Sequence, residues 1–242
     1  MKIIFGTPFL VHAGVVAIAD THIGVEFHLK KAGFAVQSNA AMYAEQAVSV
    51  GKEYDAKILV HLGDVKHTIG RSSPAEQRQV INFFKILGTW FKKVIVIKGN
   101  HDGGLALPDA IEVCKSFTHE GVGFLHGHCY PEQRLRACKS IVCGHVHPCI
   151  KFKDGLGRQK SYRCWLVANV NRAFREKFGL EKARKLFVMP AASDFVGMRE
   201  INNLALNGFL VSWQYMNQKK SEFYLFDGTF LGSMEHLEKV QM

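Results

Sequence analysis

Apolar residues fall in short runs along the first two-thirds of the chain. Val15-Val16-Ala17-Ile18-Ala19, Lys57 to Leu62, Val94 to Ile97, Gly123-Phe124-Leu125 and Ser140 to Cys143 each have strand length. A run without polar alternation is the pattern of a strand covered on both faces. Between these runs, Ala35 to Val50 and Pro74 to about Leu87 carry helical spacing, the second opened by Ser72 or Ser73 as N-cap and proline in the first turn. Every run stops at a polar cluster: Asp20, then Asp64, then Asn100-His101-Asp102, then His126, then His145 and His147. In open α/β sheets, ligands sit beyond the carboxyl ends of the strands. Five polar clusters on five strand ends therefore converge on one place. Farther on, Lys185 to Met189, Phe209 to Trp213 and Glu222 to Phe226 read as strands of a second sheet, and Ala173 to Lys185 as a short basic helix. With no linker or repeat, the 242 residues are expected to form one domain spanning 1–242.

Composition narrows the class. Apolar residues make up 48% and charged residues 21%, which argues against disordered, collagenous and coiled-coil chains. No stretch approaches the roughly 18 uninterrupted apolar residues of a membrane span, so no membrane association is expected. Gly6, Pro8, His12 and Gly14 break the apolar start into pieces unlike a signal peptide, and the expectation is a cytoplasmic protein. The six cysteines form no CxxC pair and read as reduced, mostly buried side chains. Net charge is +10, and residues 151–199 hold twelve Lys+Arg against four Asp+Glu. That surplus marks a candidate surface for a polyanion, nucleic acid first.

The polar clusters carry the chemistry. Asp20-x-His22 and His145-x-His147 each place two donors on one side of an extended segment. With Asp64, Asn100 and His126 the set is two Asp, one Asn and four His, without a thiolate. Seven N/O donors exceed one ion and suit two divalent transition ions; if Asp64 bridges, each ion can have about four protein ligands. Such a pair, roughly 3.5–4 Å apart, clamps a phosphoryl group and acidifies water. His101 is left to protonate the leaving oxygen or stabilise developing charge, with Asp102 as a candidate to orient its ring. His67 and His128 are candidate substrate contacts; a helix-start histidine and a supporting histidine are the alternatives. Phe152, Tyr162 and Trp165 interleave with cations, and strand packing outweighs base stacking there. Neither GxxxxGK[ST] nor GxSxG occurs, so P-loop ATPase and serine-hydrolase chemistry lack support.

The order of D-x-H, G-D, G-N-H-D, H-G-H and G-H-x-H elements resembles the calcineurin-like metallophosphoesterase superfamily, over Asp20 to His147. That resemblance implies an α/β fold, a two-sheet β-sandwich flanked by helices. It implies one ion on Asp20, His22, Asp64 and His147, a second on Asp64, Asn100, His126 and His145, and His101 as the catalytic histidine. Asp20-Thr21-His22-Ile23-Gly24-Val25-Glu26, Gly63-Asp64-Val65-Lys66-His67, Gly144-His145-Val146-His147-Pro148, Val188-Met189-Pro190-Ala191 and Phe226 to Gly232 are similar to archaeal metallophosphoesterases related to the ligase-associated phosphoesterases. This narrower resemblance implies a Mn²⁺-dependent phosphodiesterase or nuclease connected with DNA repair, with repair proteins as partners. Fe, Zn²⁺ and Ni²⁺ fit the same donors. The alternatives are a small-molecule phosphomonoesterase or cyclic-nucleotide phosphodiesterase, and a non-catalytic binding module.

Overall fold

The computed structural model describes residues 1–203 and 206–240. Positions 204–205 and 241–242, which the single-domain expectation also spans, lie outside the described residues. Six strands form the first sheet: β1 (Lys2–Ile4), β2 (Phe9–His12), β3 (Val15–Ile18), β4 (Ile58–His61), β5 (Lys93–Ile97) and β6 (Glu112–Cys114), side by side in that order. β3 to β6 run parallel. Their outer face is covered by α2 (Ala40–Glu53) and α3 (Pro74–Leu87), while α1 (Val25–Lys31) follows the first polar cluster. The second sheet comprises β7 (Ser116–His119), β8 (Val122–Leu125), β9 (Ser140–Cys143), β10 (Pro148–Lys153), β11 (Gln159–Val170), β12 (Lys185–Val188), β13 (Arg199–Glu200), β14 (Met216–Leu225) and β15 (Phe230–Gly232). α4 (Arg172–Phe178) and α5 (Met234–Val240) complete the chain.

The continuous apolar runs are explained by burial on both faces. In β3, Val15 and Ala17 point between the sheets and pack with Val60, Ile95, Phe124, Val142 and Trp165. Val16 and Ile18 point the other way and meet the helix side chains Ala44, Val80 and Phe83. Trp165 is fully buried between the sheets, so truncation to alanine costs about 3–5 kcal/mol. Its role is packing, as the stronger of the two sequence readings held.

Several expectations require correction. The helix expected from Ala35 starts at Ala40. The basic helix expected over Ala173 to Lys185 ends at Phe178, because Gly179 adopts the left-handed C-cap conformation (φ 64°); Lys185 already belongs to β12. Phe209 to Trp213 is not a strand. Leu210, Val211, Ser212 and Trp213 are all buried, but the segment holds only an isolated bridge, Asn207 to Ser212, and then a 3₁₀ turn at Trp213–Tyr215. Its apolar run reflects packing without strand pairing. By contrast, α3 starts as read: Ser73 Oγ accepts from the Glu76 amide at 3.1 Å and Pro74 opens the first turn. Among the described residues no helix is long and apolar enough to cross a membrane.

Candidate metal centre

The carboxyl ends of β3, β4 and β5 in one sheet, and of β8 and β9 in the other, open on the same edge of the sandwich. Asp20 and His22 follow β3, Asp64 follows β4, and Asn100 and His101 follow β5. His126 follows β8, and His145 and His147 follow β9. Eight described non-glycine residues have left-handed φ, and five of them are Asp20, His22, Asp64, His145 and His147. Such backbone is uncommon and costs about 1–3 kcal/mol per residue. Its concentration here means the surrounding structure forces these side chains inward.

The oxygen donors are held by backbone amides. Asp20 is fully buried, and its Oδ2 accepts from the His145 amide at 2.9 Å. Asp64 Oδ1 accepts from the His101 amide at 2.8 Å. Close approach requires glycine: a Cβ at Gly144 would meet Asp20 Oδ2 at 2.5 Å, and one at Gly99 would collide with Asp64.

The imidazoles are held from their far sides. Nδ1 of His126 donates to the Leu62 carbonyl at 2.6 Å, and Nδ1 of His147 to the Gly197 carbonyl at 2.8 Å. A carbonyl only accepts, so each Nδ1 carries the proton and each Nε2 is freed for the centre. Nε2 of His126 then lies 3.4 Å from Asp64 Oδ2, 3.2 Å from Asn100 Oδ1 and 3.1 Å from His145 Nδ1. Nε2 of His147 lies 3.4 Å from His22 Nε2 and 3.5 Å from Asp20 Oδ1. The result is three groups of potential ligands: His22, His67 and His101, and two that contain carboxylates, namely Asp20, His22, Asp64 and His147, and Asp64, His126 and His145. Asp64 belongs to both of the latter.

Titration follows from burial and these neighbours. Burial alone would raise Asp20 and Asp64, but the imidazoles beside them outweigh it and hold both carboxyls below the usual range. Burial lowers His22 to about 3 and His145 to about 4. It would lower His126 too, but Asp64 and Asp20 prevail and raise that ring to about 9. In the metal-free protein a second proton, on Nε2, thus gives His126 positive charge beside two buried carboxylates. Asp20 Oδ1 has no hydrogen-bond partner and is fully enclosed. An orphaned carboxylate oxygen among converging imidazole nitrogens fits divalent cations.

A family model, the calcineurin-like phosphoesterase superfamily domain, matches residues 14–169. The chain belongs to the calcineurin-like phosphoesterase superfamily. It is a metal-dependent phosphoester hydrolase with the mixed α/β, two-sheet architecture of that fold. Nuclease MPE of Pseudomonas putida shares 20% identity over 90% of this chain and 88% of that chain, with a TM-score of 0.56; at that identity the likeness shows the fold. The YfcE phosphoesterase of E. coli shares 22% identity over 58% of this chain and 74% of that chain, with a TM-score of 0.34. No curated protein matches the sequence.

Within this phosphoesterase, one role read from the sequence is corrected. Asp102 does not orient His101. Its buried carboxylate accepts from the amides of Gly99 at 2.8 Å, Asp64 at 2.9 Å and Val65 at 2.9 Å. It ties the turn after β5 to the turn after β4 and so places Asp64. His101 is instead fixed by its own Nδ1, which donates to the His67 carbonyl at 2.6 Å. The His67 ring stands beside His22, with Nδ1 atoms 3.4 Å apart, and beside His101, with centroids 5.7 Å apart. His128 stands 5.1 Å from the His126 ring, at the other end of the centre.

Sequence reasoning missed four contributors. Lys66 is fully buried, and its Nζ donates to the carbonyls of Thr68, Gly70 and His101. It braces the loop that carries His67. Glu76 anchors the same loop by accepting from the Thr68 amide at 3.0 Å. Buried His61 donates from Nε2 to Thr21 Oγ1, at 2.9 Å, because that hydroxyl is committed to the Val65 carbonyl. His28 stacks edgewise on His67 at 4.8 Å. The Gly63-Asp64-Val65-Lys66-His67 string held the only signal for Lys66, and a lysine is rarely read as buried.

Proposed function

We propose that the chain is a binuclear phosphodiesterase that hydrolyses nucleic acid, with Mn²⁺ first among the candidate ions. The observation that carries this reading is the pair of Asp/His groups sharing Asp64. Asp20, His22, Asp64 and His147 would hold one ion, and Asp64, Asn100, His126 and His145 the other. Bound there, the ions supply positive charge for the phosphoryl oxygens and make water a stronger acid. The protein does the rest. Asp102 fixes the turn that presents Asp64, and the main-chain carbonyls of Leu62 and Gly197 fix the imidazole tautomers. His101, with Nδ1–H committed to the His67 carbonyl, would as the imidazolium give a second proton, taken from solvent, from Nε2 to the leaving oxygen. His67 and His128 flank the centre and contact the phosphodiester from its two ends.

A polymeric substrate is favoured by charge and shape. Register puts the β10–β11 hairpin beyond the site edge: Leu166 pairs with Val188, which pairs with Cys143, and residues 159–163 continue past that level to pair with β10. Lys153 and Lys160 are exposed on this hairpin. Not all of the surplus over 151–199 is free for a partner. Lys151, Arg158, Arg163 and Arg172 face Glu200, Asp154, Asp194 and Glu176 at 2.6–2.7 Å. The nuclease named among the structural neighbours agrees with this reading, and the narrower sequence resemblance extends it to DNA-repair partners.

The test is metal-dependent hydrolysis by chelator-stripped protein, with Mn²⁺ added back and His101→Ala alongside. Cleavage of bis-p-nitrophenyl phosphate and of labelled DNA or RNA, lost in the variant, is the expected result. Hydrolysis of p-nitrophenyl phosphate alone would replace the proposal with a small-molecule phosphatase.

A further inference from the structure

At the mouth of the site, on the side of the second sheet, two large aromatic side chains stand exposed. Tyr130 is 57% and Phe209 40% solvent-accessible. Their rings meet edge to face, with centroids 5.0 Å apart and planes at 81°. Both rest on buried Phe178, at 5.9 and 5.5 Å, which packs on Phe174 and Tyr215. The pair is therefore a rigid ridge on an aromatic foundation.

The ridge is shared by two hollows that border the centre, one at Asn100 and the other at His145. Tyr130 lines a cavity of about 660 Å³ together with Lys98, Asn100, Lys115 and His128. Phe209 lines one of about 240 Å³ together with His145 and Arg199. Lys98, Lys115 and Arg199 are exposed, and Lys177 Nζ lies 5.8 Å from the Tyr130 ring centre. Aromatic faces flanked by cations, leading into a phosphoesterase centre, are the elements that bind unpaired strands: stacking for bases, charge for backbone. A paired base keeps its faces inside the duplex and cannot use them.

We propose that Tyr130 and Phe209 form a stacking subsite for a nucleobase of a single-stranded nucleic acid, beside the phosphodiester held at the Asp/His centre. This rests on the nucleic-acid reading above. The subsite recognises the base next to the scissile bond, with Lys98 and Lys115 drawing the backbone along the larger hollow.

The test pairs changes in protein and substrate. Mn²⁺-loaded enzyme is offered a single-stranded oligonucleotide and a series with one abasic position each. Wild type is expected to show KM about tenfold higher for an abasic position adjoining the cut. Tyr130→Ala with Phe209→Ala is expected to bring the two KM values within twofold, and Tyr130→Trp to restore the difference. Equal KM for all abasic positions in wild type would overturn the subsite, and so would an undiminished difference in the double variant. A thymidine p-nitrophenyl diester that matched the oligonucleotide in KM would assign the base to a free nucleotide and overturn the strand. Hydrolysis of bis-p-nitrophenyl phosphate with no oligonucleotide cleaved would remove the nucleic-acid reading itself, separately from the ridge.

Discussion

The two sheets contribute different chemistry to the one edge they share. Turns after the first sheet's strands bring the oxygen donors Asp20, Asp64 and Asn100, together with His22 and His101. Turns after the second sheet's strands bring imidazole only: His126, His145 and His147. The carboxylates of Asp20 and Asp64 accept from main-chain amides, and His126 and His147 of the second set donate to main-chain carbonyls. A main-chain amide orients a carboxylate, and a main-chain carbonyl fixes an imidazole's tautomer. One sheet thus supplies carboxylate oxygen and the other directed imidazole nitrogen. The seam between them is Asp64, which belongs to both carboxylate-containing groups.

This contrast can be sharpened by substitution, starting with the largest effect. Asp64→Asn removes the shared charge, and diester hydrolysis is expected to fall at least about a thousandfold, since several kcal/mol of charge stabilisation depends on the ions. His101→Ala is expected to lower kcat by about 10²–10⁴-fold while metal content stays as in wild type; loss of metal in that variant would make His101 a ligand instead. Asp102→Ala strips the acceptor from three buried amides. Metal affinity should weaken about 10–100-fold and the melting temperature should drop. A variant with altered kcat but intact affinity would return Asp102 to the orienting role that the structure denies it.

The metal-free protein offers a subtler contrast through pH. His22 near 3, His61 near 4 and His145 near 4 are held neutral by burial and take up protons on unfolding. Their contribution is present above the unfolded value of about 6.5 and is lost as pH falls below it. His126 is the opposite case: raised to about 9, it stabilises below about 6.5 and loses that contribution as pH rises through 9. Urea midpoints of chelator-stripped protein should therefore peak near pH 6.5. A midpoint that climbed steadily to pH 9 would refute the charged His126.

The sites that were legible in the sequence share a physical cause. β3, β4, β5, β8 and β9 are buried on both faces, so their sequences are unbroken apolar runs whose ends are unmistakable. The candidate ligands Asp20, His22, Asp64, Asn100, His126, His145 and His147 follow those ends. β11 was hidden because its first half is exposed and basic while its second half is buried. β14 carries Lys219 and Lys220 on a surface strand and was recognised only from Glu222 onward. Asp102 was placed correctly and misassigned in role, because an Asp beside a His suggests a side-chain pair. Its carboxylate turns instead to amides distant in sequence, which only the folded turns reveal. Tyr130 and Phe209 are 79 residues apart and become a pair only through α4.

The shared carboxylate is the centre of the account, and counting ions tests it most directly. Native mass spectrometry of Mn²⁺-reconstituted protein should find two ions in wild type, one in His145→Ala and fewer than one in Asp64→Asn. Two ions retained in Asp64→Asn would contradict a centre built around that residue.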